Sequence, residues 1–345
     1  MQFVWTKKLS SEQLESLKRF YFSLPFVHVE QYPGWNDINP SDGSTVVYCL
    51  ATEDNTLKGY TAIHEYKKIE ARIIFGPLAN SLDIIIKIIL EAIRYYKGKG
   101  YLAIQVLLGM SVGTEASYLQ YNLYKKYPFK MHIDSRNKST LLLKLDDKTD
   151  EQLFKHFSEN HRRSIKKAEK NELKCRILTS ASDITEFANG YYEMYKHRGI
   201  KLSHAKCTTD YISIYNWLNN EGKGFFMGVF EKVKMVGGIL ILFRKDRAEY
   251  YRGFTLPDER KIPIGHLSFY EAMKLVKKEK VSYFDFGGYN ILADENDQIF
   301  QINKFKKGFH GEYFFYPPIL HFDLRPFGSN ISNLLKKIKK IASKI

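Results

Sequence analysis

The residue in this sequence best equipped to do chemistry is a lysine set between aromatic rings. Lys306 stands in Phe305-Lys306-Lys307-Gly308-Phe309. Rings on either side lower the local dielectric, so a cation there acts more strongly on a developing negative charge than one on open surface. The competing reading is a lysine snorkelling from a strand edge. Asp285 lies in Tyr283-Phe-Asp285-Phe-Gly287-Gly288, at the carboxyl end of an expected strand, where α/β folds place ligands. It serves there either as a general base or as a turn-former bonded to backbone amides. Arg198 follows a tyrosine-rich helix and precedes Gly199. Its fork leaves a helix C-terminus, either to grip phosphate or to complement the helix dipole. Tyr250 and Tyr251 are neighbours in a strand, so alternation sends them to opposite faces, and Tyr251 is taken as the one that lines the site.

The elements that must position these residues follow from periodicity. A helix is expected from Glu151 to about Glu172, with Phe154, Phe157, Ile165 and Ala168 on one face and Arg163, Lys166, Lys167 and Lys170 on another. Arg163 and Lys167 are then candidate phosphate contacts, against the plainer reading of a solvated face. Around the site runs an internal repeat. Leu57-Lys58-Gly59-Tyr60 overlays Met235-Val236-Gly237-Gly238, and Ile73-Ile74-Phe75-Gly76 overlays Tyr250-Tyr251-Arg252-Gly253. The helix Asp83 to Tyr96 overlays Pro263 to Val276, and the strand Tyr101 to Leu107 overlays Ser282 to Phe286, with Gln105 on Asp285. Offsets stay between 177 and 180 residues across these landmarks. Each half reads as antiparallel strands, a helix and a return strand. The expected division is residues 1–147, residues 148–329 and a basic amphipathic C-terminal helix over 330–345, with the boundary at Asp146 to Asp150 after the strand Thr140 to Leu145.

Composition sets the outer limits. A chain of 345 residues exceeds one ordinary core. The longest apolar run, Ile84 to Leu90, is split by Lys87 and falls far short of the roughly 18 residues of a spanning helix. Met1 to Lys8 lacks the pattern of a secretory signal, so a cytoplasmic location is expected. Cys49, Cys175 and Cys207 have no paired spacing, and the nearest histidines, His197 and His204, lack carboxylate partners, so neither a disulfide nor a metal is expected. The net charge of +15 favours polyanionic partners without choosing among them. In the C-terminal helix Ile331, Leu334, Leu335, Ile338 and Ile341 oppose Lys336, Lys337, Lys339, Lys340 and Lys344. It is read either as docked on the body or as lying on the inner face of a membrane.

Four segments in order resemble the Fem-type (FemABX) nonribosomal peptidyltransferases. They are Arg162-Arg163-Ser-Ile165-Lys166-Lys167-Ala168; Tyr191, Tyr192, Met194 and Tyr195 before Arg198-Gly199; Gly237-Gly238 leading to Tyr250-Tyr251; and Tyr283 to Gly288 followed by Asn303 to Phe309. The resemblance implies an α/β fold of two tandem acetyltransferase-like (GNAT-type) domains, each a mixed sheet with flanking helices. It implies transfer of an amino acid from aminoacyl-tRNA to an amine of a UDP- or lipid-linked cell-envelope precursor, with no bound cofactor. Within Asn303 to Phe309 it places Lys306 at the substrate phosphate or reacting carbonyl and leaves Lys304 as a further substrate contact. It supports Arg198 on the precursor's pyrophosphate. Two features depart from the pattern: Gln105 replaces a common acid, and a phosphate-binding lysine is missing after Gln31-Tyr-Pro-Gly-Trp35. Two rivals are an N-acyltransferase using acetyl-CoA or another acyl-CoA on an amino sugar of surface polysaccharide, and a non-catalytic RNA-binding module. Against CoA, Arg260-Lys261-Ile262-Pro263-Ile264-Gly265 offers one glycine and an amide-lacking proline where a phosphate cradle would sit.

Overall fold

The computed structural model describes residues 1–25, 27–38, 44–67, 69–132, 139–259 and 262–326. The chain forms two units, one from Met1–Lys138 with Phe315–Ile345 and one from Ser139–Phe314.

The first unit is built on a sheet whose neighbours run Gln2–Thr6, Thr45–Glu53, Thr56–Tyr66, Glu70–Ile74, Ala103–Leu107, Ile319–Asp323 and Lys130–His132, with Leu78–Ala79 pairing beside Thr56–Tyr66. Glu70–Ile74 and Ala103–Leu107 are parallel, and the helix Leu82–Gly98 makes the crossover between them. Ser81 caps that helix at Ile84 N–H, and its isoleucine face (Ile85, Ile88, Ile89, Ile93) is buried on the sheet. The β-branched run is a poor choice for helix propensity alone, so burial of this face carries the element.

The second unit repeats the plan. Its strand order is Glu312–Phe315, Ser139–Lys144, Tyr283–Gly288, Arg247–Thr255, Lys234–Phe243, Gly224–Glu231 and Lys174–Ile177. Here Arg247–Thr255 and Tyr283–Gly288 are parallel, joined through the helix Ile264–Lys278, which buries Leu267, Phe269, Ala272, Met273 and Val276. Both units are therefore mixed α/β sheets with flanking helices, and the repeated landmarks fall on equivalent elements.

Two expectations differ from what is observed. The strand Ser139–Lys144, read as the close of the first half, pairs with Tyr283–Gly288 in the second sheet, Leu143 opposite Phe284. Ile319–Asp323, read as part of the second half, pairs with Ala103–Leu107 in the first. Each sheet thus takes one strand from the other half of the sequence, which moves the division from 147/148 to 138/139 and returns the chain to the first unit at Phe315. The helix expected from Glu151 to Glu172 is two, Asp150–His156 and Glu159–Lys170. Phe157 between them is extended, and Ser158 caps the second helix at His161 N–H. The basic helix over 330–345 lies outside the described residues.

Candidate active site

The parallel strands of the second unit stay in register only from Arg247 opposite Tyr283 to Glu249 opposite Asp285. Beyond that point they part. Tyr250 pairs with Ile241 and Arg252 with Leu240 on the other neighbour, so Tyr251 is the extra residue of a bulge. Gly287 has φ +69°, and a Cβ there would stand 2.7 Å from the Tyr250 carbonyl oxygen. Only glycine lets the two chains separate this way.

A buried charge network closes the hinge of the opening. Arg244 Nε donates to Glu249 Oε2 at 3.0 Å and its Nη2 to Asp285 Oδ2 at 3.2 Å. Asp285 Oδ1 also accepts from the Gly287 N–H at 2.9 Å and from the Thr140 hydroxyl. Asp285 is fully buried and Arg244 nearly so. Burial raises the Glu249 carboxyl and the Arg244 guanidinium draws it back. Both oxygens of Asp285 are thus engaged in holding the strand end and the following turn. Its contacts are those of the turn-forming reading, with the carboxylate fully buried and both oxygens bonded within the protein, which disfavours the general-base alternative.

Lys306 comes from the last turn of the helix Gln298–Lys307 rather than from a strand edge. Asn303 and Lys306, three residues apart, are buried on one face of it. Asn303 exchanges hydrogen bonds with the Asn290 backbone, and Lys306 Nζ donates to the Gly288 carbonyl at 2.7 Å. The same face therefore covers the chain leaving Asp285. The ammonium lies 5.8 Å from the centre of the Tyr250 ring. Burial lowers its pKa from 10.5 to about 8, with Asp285 and Glu249 pulling it back up. Phe309 is fully buried, stacked with Phe269 and Phe286, and Phe305 packs against the same core.

The helix end is pinned from outside. His161 Nε2 lies 2.8 Å from the Phe305 carbonyl oxygen, and Ser158 N–H donates to the Gly308 carbonyl at 2.9 Å. A Cβ at Gly308 would come within 2.0 Å of the His161 ring. Gly308→Ala is expected to lower stability by about 1–3 kcal/mol through displacement of that ring, read as a fall in the denaturation midpoint; an unchanged midpoint would show that the pin is not needed.

The Tyr250 ring stacks at a tilt on Phe269 at 4.7 Å and faces Lys306. Its hydroxyl is pushed up to about 12 by burial and by Tyr195, with Arg198 working the other way. Arg198, the exposed C-cap of the helix Ala181–His197, lies 5.9 Å from the Tyr195 ring. Lys306 thus lies against Tyr250, and Arg198, seated on Tyr195, acts on the Tyr250 hydroxyl only through its charge. Tyr251, the one chosen from alternation, is half-buried with the Arg252 guanidinium 5.0 Å from its ring. The bulge breaks the alternation on which that choice rested. Tyr250→Leu is expected to reduce turnover more than tenfold and Tyr251→Phe much less, read in one transfer assay; the reverse order would return the role to Tyr251.

The remaining predicted contacts lie apart. Arg163 and Lys167 are exposed on Glu159–Lys170, whose buried side is His161, Ile165 and Ala168, and Arg163 is 3.8 Å from Glu159. This is the geometry of a solvated face. Lys304 is exposed, whereas Lys306 on the same helix is buried. Arg244, Glu249, Thr140 and Asn303 were not anticipated. Among the described residues no cluster of His, Cys, Asp or Glu could hold a metal, and no helix is long and apolar enough to cross a membrane.

Residues 155–300 match the acetyltransferase (GNAT) domain family. None of the curated proteins matches the sequence. Among solved structures the chain is similar to FemX, with a TM-score of 0.78 at 15% identity, covering 97% of this chain and 99% of that one. It is also similar to a tandem GNAT protein from the clavulanic acid biosynthesis pathway, with a TM-score of 0.59 at 10% identity over 94% and 99% of the two chains. A third likeness is to the C-terminal domain of a putative lysylphosphatidylglycerol synthetase from Agrobacterium fabrum, with a TM-score of 0.62 at 10% identity over 95% and 96%.

Proposed function

From a chain with the Fem-type tandem acetyltransferase-like fold, we propose a transferase that moves an activated amino acid or acyl group onto an amine of a cell-envelope precursor, forming an amide. The observation that carries this reading is Lys306, a cation buried at the opening of the parallel strands and set over Tyr250. Attack of an amine on an ester or thioester carbonyl passes through a tetrahedral oxyanion. A preorganised ammonium in a site shielded from water stabilises that charge by about 3–4 kcal/mol. The attacking nitrogen must also lose a proton. With Asp285 sealed into the hinge, that proton passes to the departing oxygen or a neighbouring hydroxyl of the donor. Arg198 supplies a fork for a phosphate of the precursor.

Aminoacyl-tRNA is the donor this reading favours. A CoA donor needs free amides at the start of the crossover helix. Here Pro263 has no N–H, Ile264 N–H is used by Ile262 at 2.8 Å, and His266 N–H by Pro263 at 3.2 Å. The putative lysylphosphatidylglycerol synthetase is named for joining a lysyl group to a phospholipid, and the fold likeness to FemX agrees with the Fem-type resemblance; both support aminoacyl transfer to an envelope molecule, while the amine acceptor rests on the resemblance. The reaction would run in the cytoplasm, at or near the inner membrane face. The test offers labelled aminoacyl-tRNA and acetyl-CoA in parallel to the full chain with nucleotide- and lipid-linked amine acceptors. Label in a base-stable amide from the tRNA arm is expected. Transfer from CoA alone would favour the polysaccharide N-acyltransferase, and salt-sensitive RNA binding without turnover would favour the binding module.

A further inference from the structure

Arg252 occupies an unusual position for a guanidinium. It is half-buried on the bulged strand, 5.0 Å from the Tyr251 ring and 5.9 Å from the Tyr211 ring. Among the described residues it has no carboxylate within ion-pair distance, whereas Arg244, buried on a neighbouring segment, has two. A charge withdrawn from water is normally paired. Tyrosine rings against the guanidinium provide cation–π contact but leave most of its in-plane N–H donors without an anion.

Arg198 is in the same situation. It is exposed, it lies against Tyr195, and it has no carboxylate partner among the described residues. Tyr195 and Tyr191 pack ring on ring at 4.6 Å, and Tyr191 packs on Tyr211 at 5.2 Å. One run of tyrosines therefore ends in an anion-seeking guanidinium on either side. We propose that Arg252 in its tyrosine box is a second anion subsite, which takes a phosphate of the substrate in bidentate fashion. The proposal rests on the transferase reading for the identity of the substrate, but not for the binding itself. A planar fork with no carboxylate beside it suits two oxygens of one phosphate. The same phosphate chemistry could come from the acceptor's diphosphate or from the 3′ end of an RNA donor.

The experiment titrates the full chain with inorganic pyrophosphate by calorimetry at low salt. Arg252→Gln is expected to weaken binding by about tenfold or more, and Arg252→Lys by less, since it keeps the charge and loses the fork. Thermal melts of both variants establish that they fold, and the lysine variant keeps the test valid if the glutamine variant does not. Parallel titrations with uridine diphosphate and with a CCA trinucleotide identify the source: the ligand whose affinity falls with Arg252 is the one held. Absence of pyrophosphate binding by the wild type, or equal binding by wild type and Arg252→Gln, overturns the subsite. Transfer kinetics separate it from the functional reading. An unchanged KM in Arg252→Gln with transfer intact sinks the subsite alone. Binding that depends on Arg252 in a chain inert with every donor supports the subsite and sinks the transferase.

Discussion

Lys306→Met lowers kcat/KM for transfer by about 10²–10³-fold while the protein stays folded, the loss expected when one strong oxyanion donor is removed. The side chain is almost fully buried, and its ammonium is held by the Gly288 carbonyl beside Tyr250. Methionine keeps the bulk and removes the charge. The same variant carries a signature in pH. In the folded protein Lys306 titrates near 8, against 10.5 for an ordinary lysine. Between those values the unfolded chain binds the extra proton, so this group makes the folded state gain stability as pH rises from 8 to 10.5. Below pH 8 both states are protonated and the full cost of burying the charge is present. The wild type should therefore gain about 3 kcal/mol on Lys306→Met across that window. Turnover that depends on the cation should fall above pH 8. Parallel stability curves for the two proteins, or a rate that climbs through pH 9, would contradict the assignment.

The second large effect falls on stability. Asp285→Ala takes one of two carboxylates from Arg244 and strips the Gly287 N–H and the Thr140 hydroxyl of an acceptor. Breaking a buried pair from one side costs about 3–5 kcal/mol because the remaining charge stays desolvated. Denaturant unfolding should show that loss. Asp285→Asn, which keeps the shape, should lose less stability and retain transfer within about tenfold per folded molecule. A stable Asp285→Asn protein with turnover abolished would restore Asp285 as the catalytic base.

The repeat was legible because glycine landmarks and two amphipathic helices recur at nearly one spacing. The division of the chain was not. Leu141, Leu143 and Leu145 announce a strand by alternation, but alternation does not name the sheet, and pairing of Ser139–Lys144 with Tyr283–Gly288 is a contact across more than a hundred residues. The break at Ser158 was written in the sequence as a cap, yet the apolar period runs through Phe157 and hides it. At the candidate site, the aromatic setting of Lys306 and the helix-end position of Arg198 were readable from their segments. Tyr250 was not, because a bulge changes which neighbour turns inward and leaves no mark in composition. Arg244 and Glu249 flank a turn, where charges ordinarily face water. Only the register of Glu249 with Asp285, and the bonds Arg244 makes to both, show that they are buried together.

Lys306 is buried inside the second unit yet stays cationic below about pH 8. The most direct measurement is the titration of the Lys306 side chain by nuclear magnetic resonance, in protein labelled at lysine and assigned with Lys306→Met. A midpoint near 8, moving when an anionic substrate fragment binds, is the predicted result. A midpoint near 10.5, indistinguishable from the surface lysines, would contradict it.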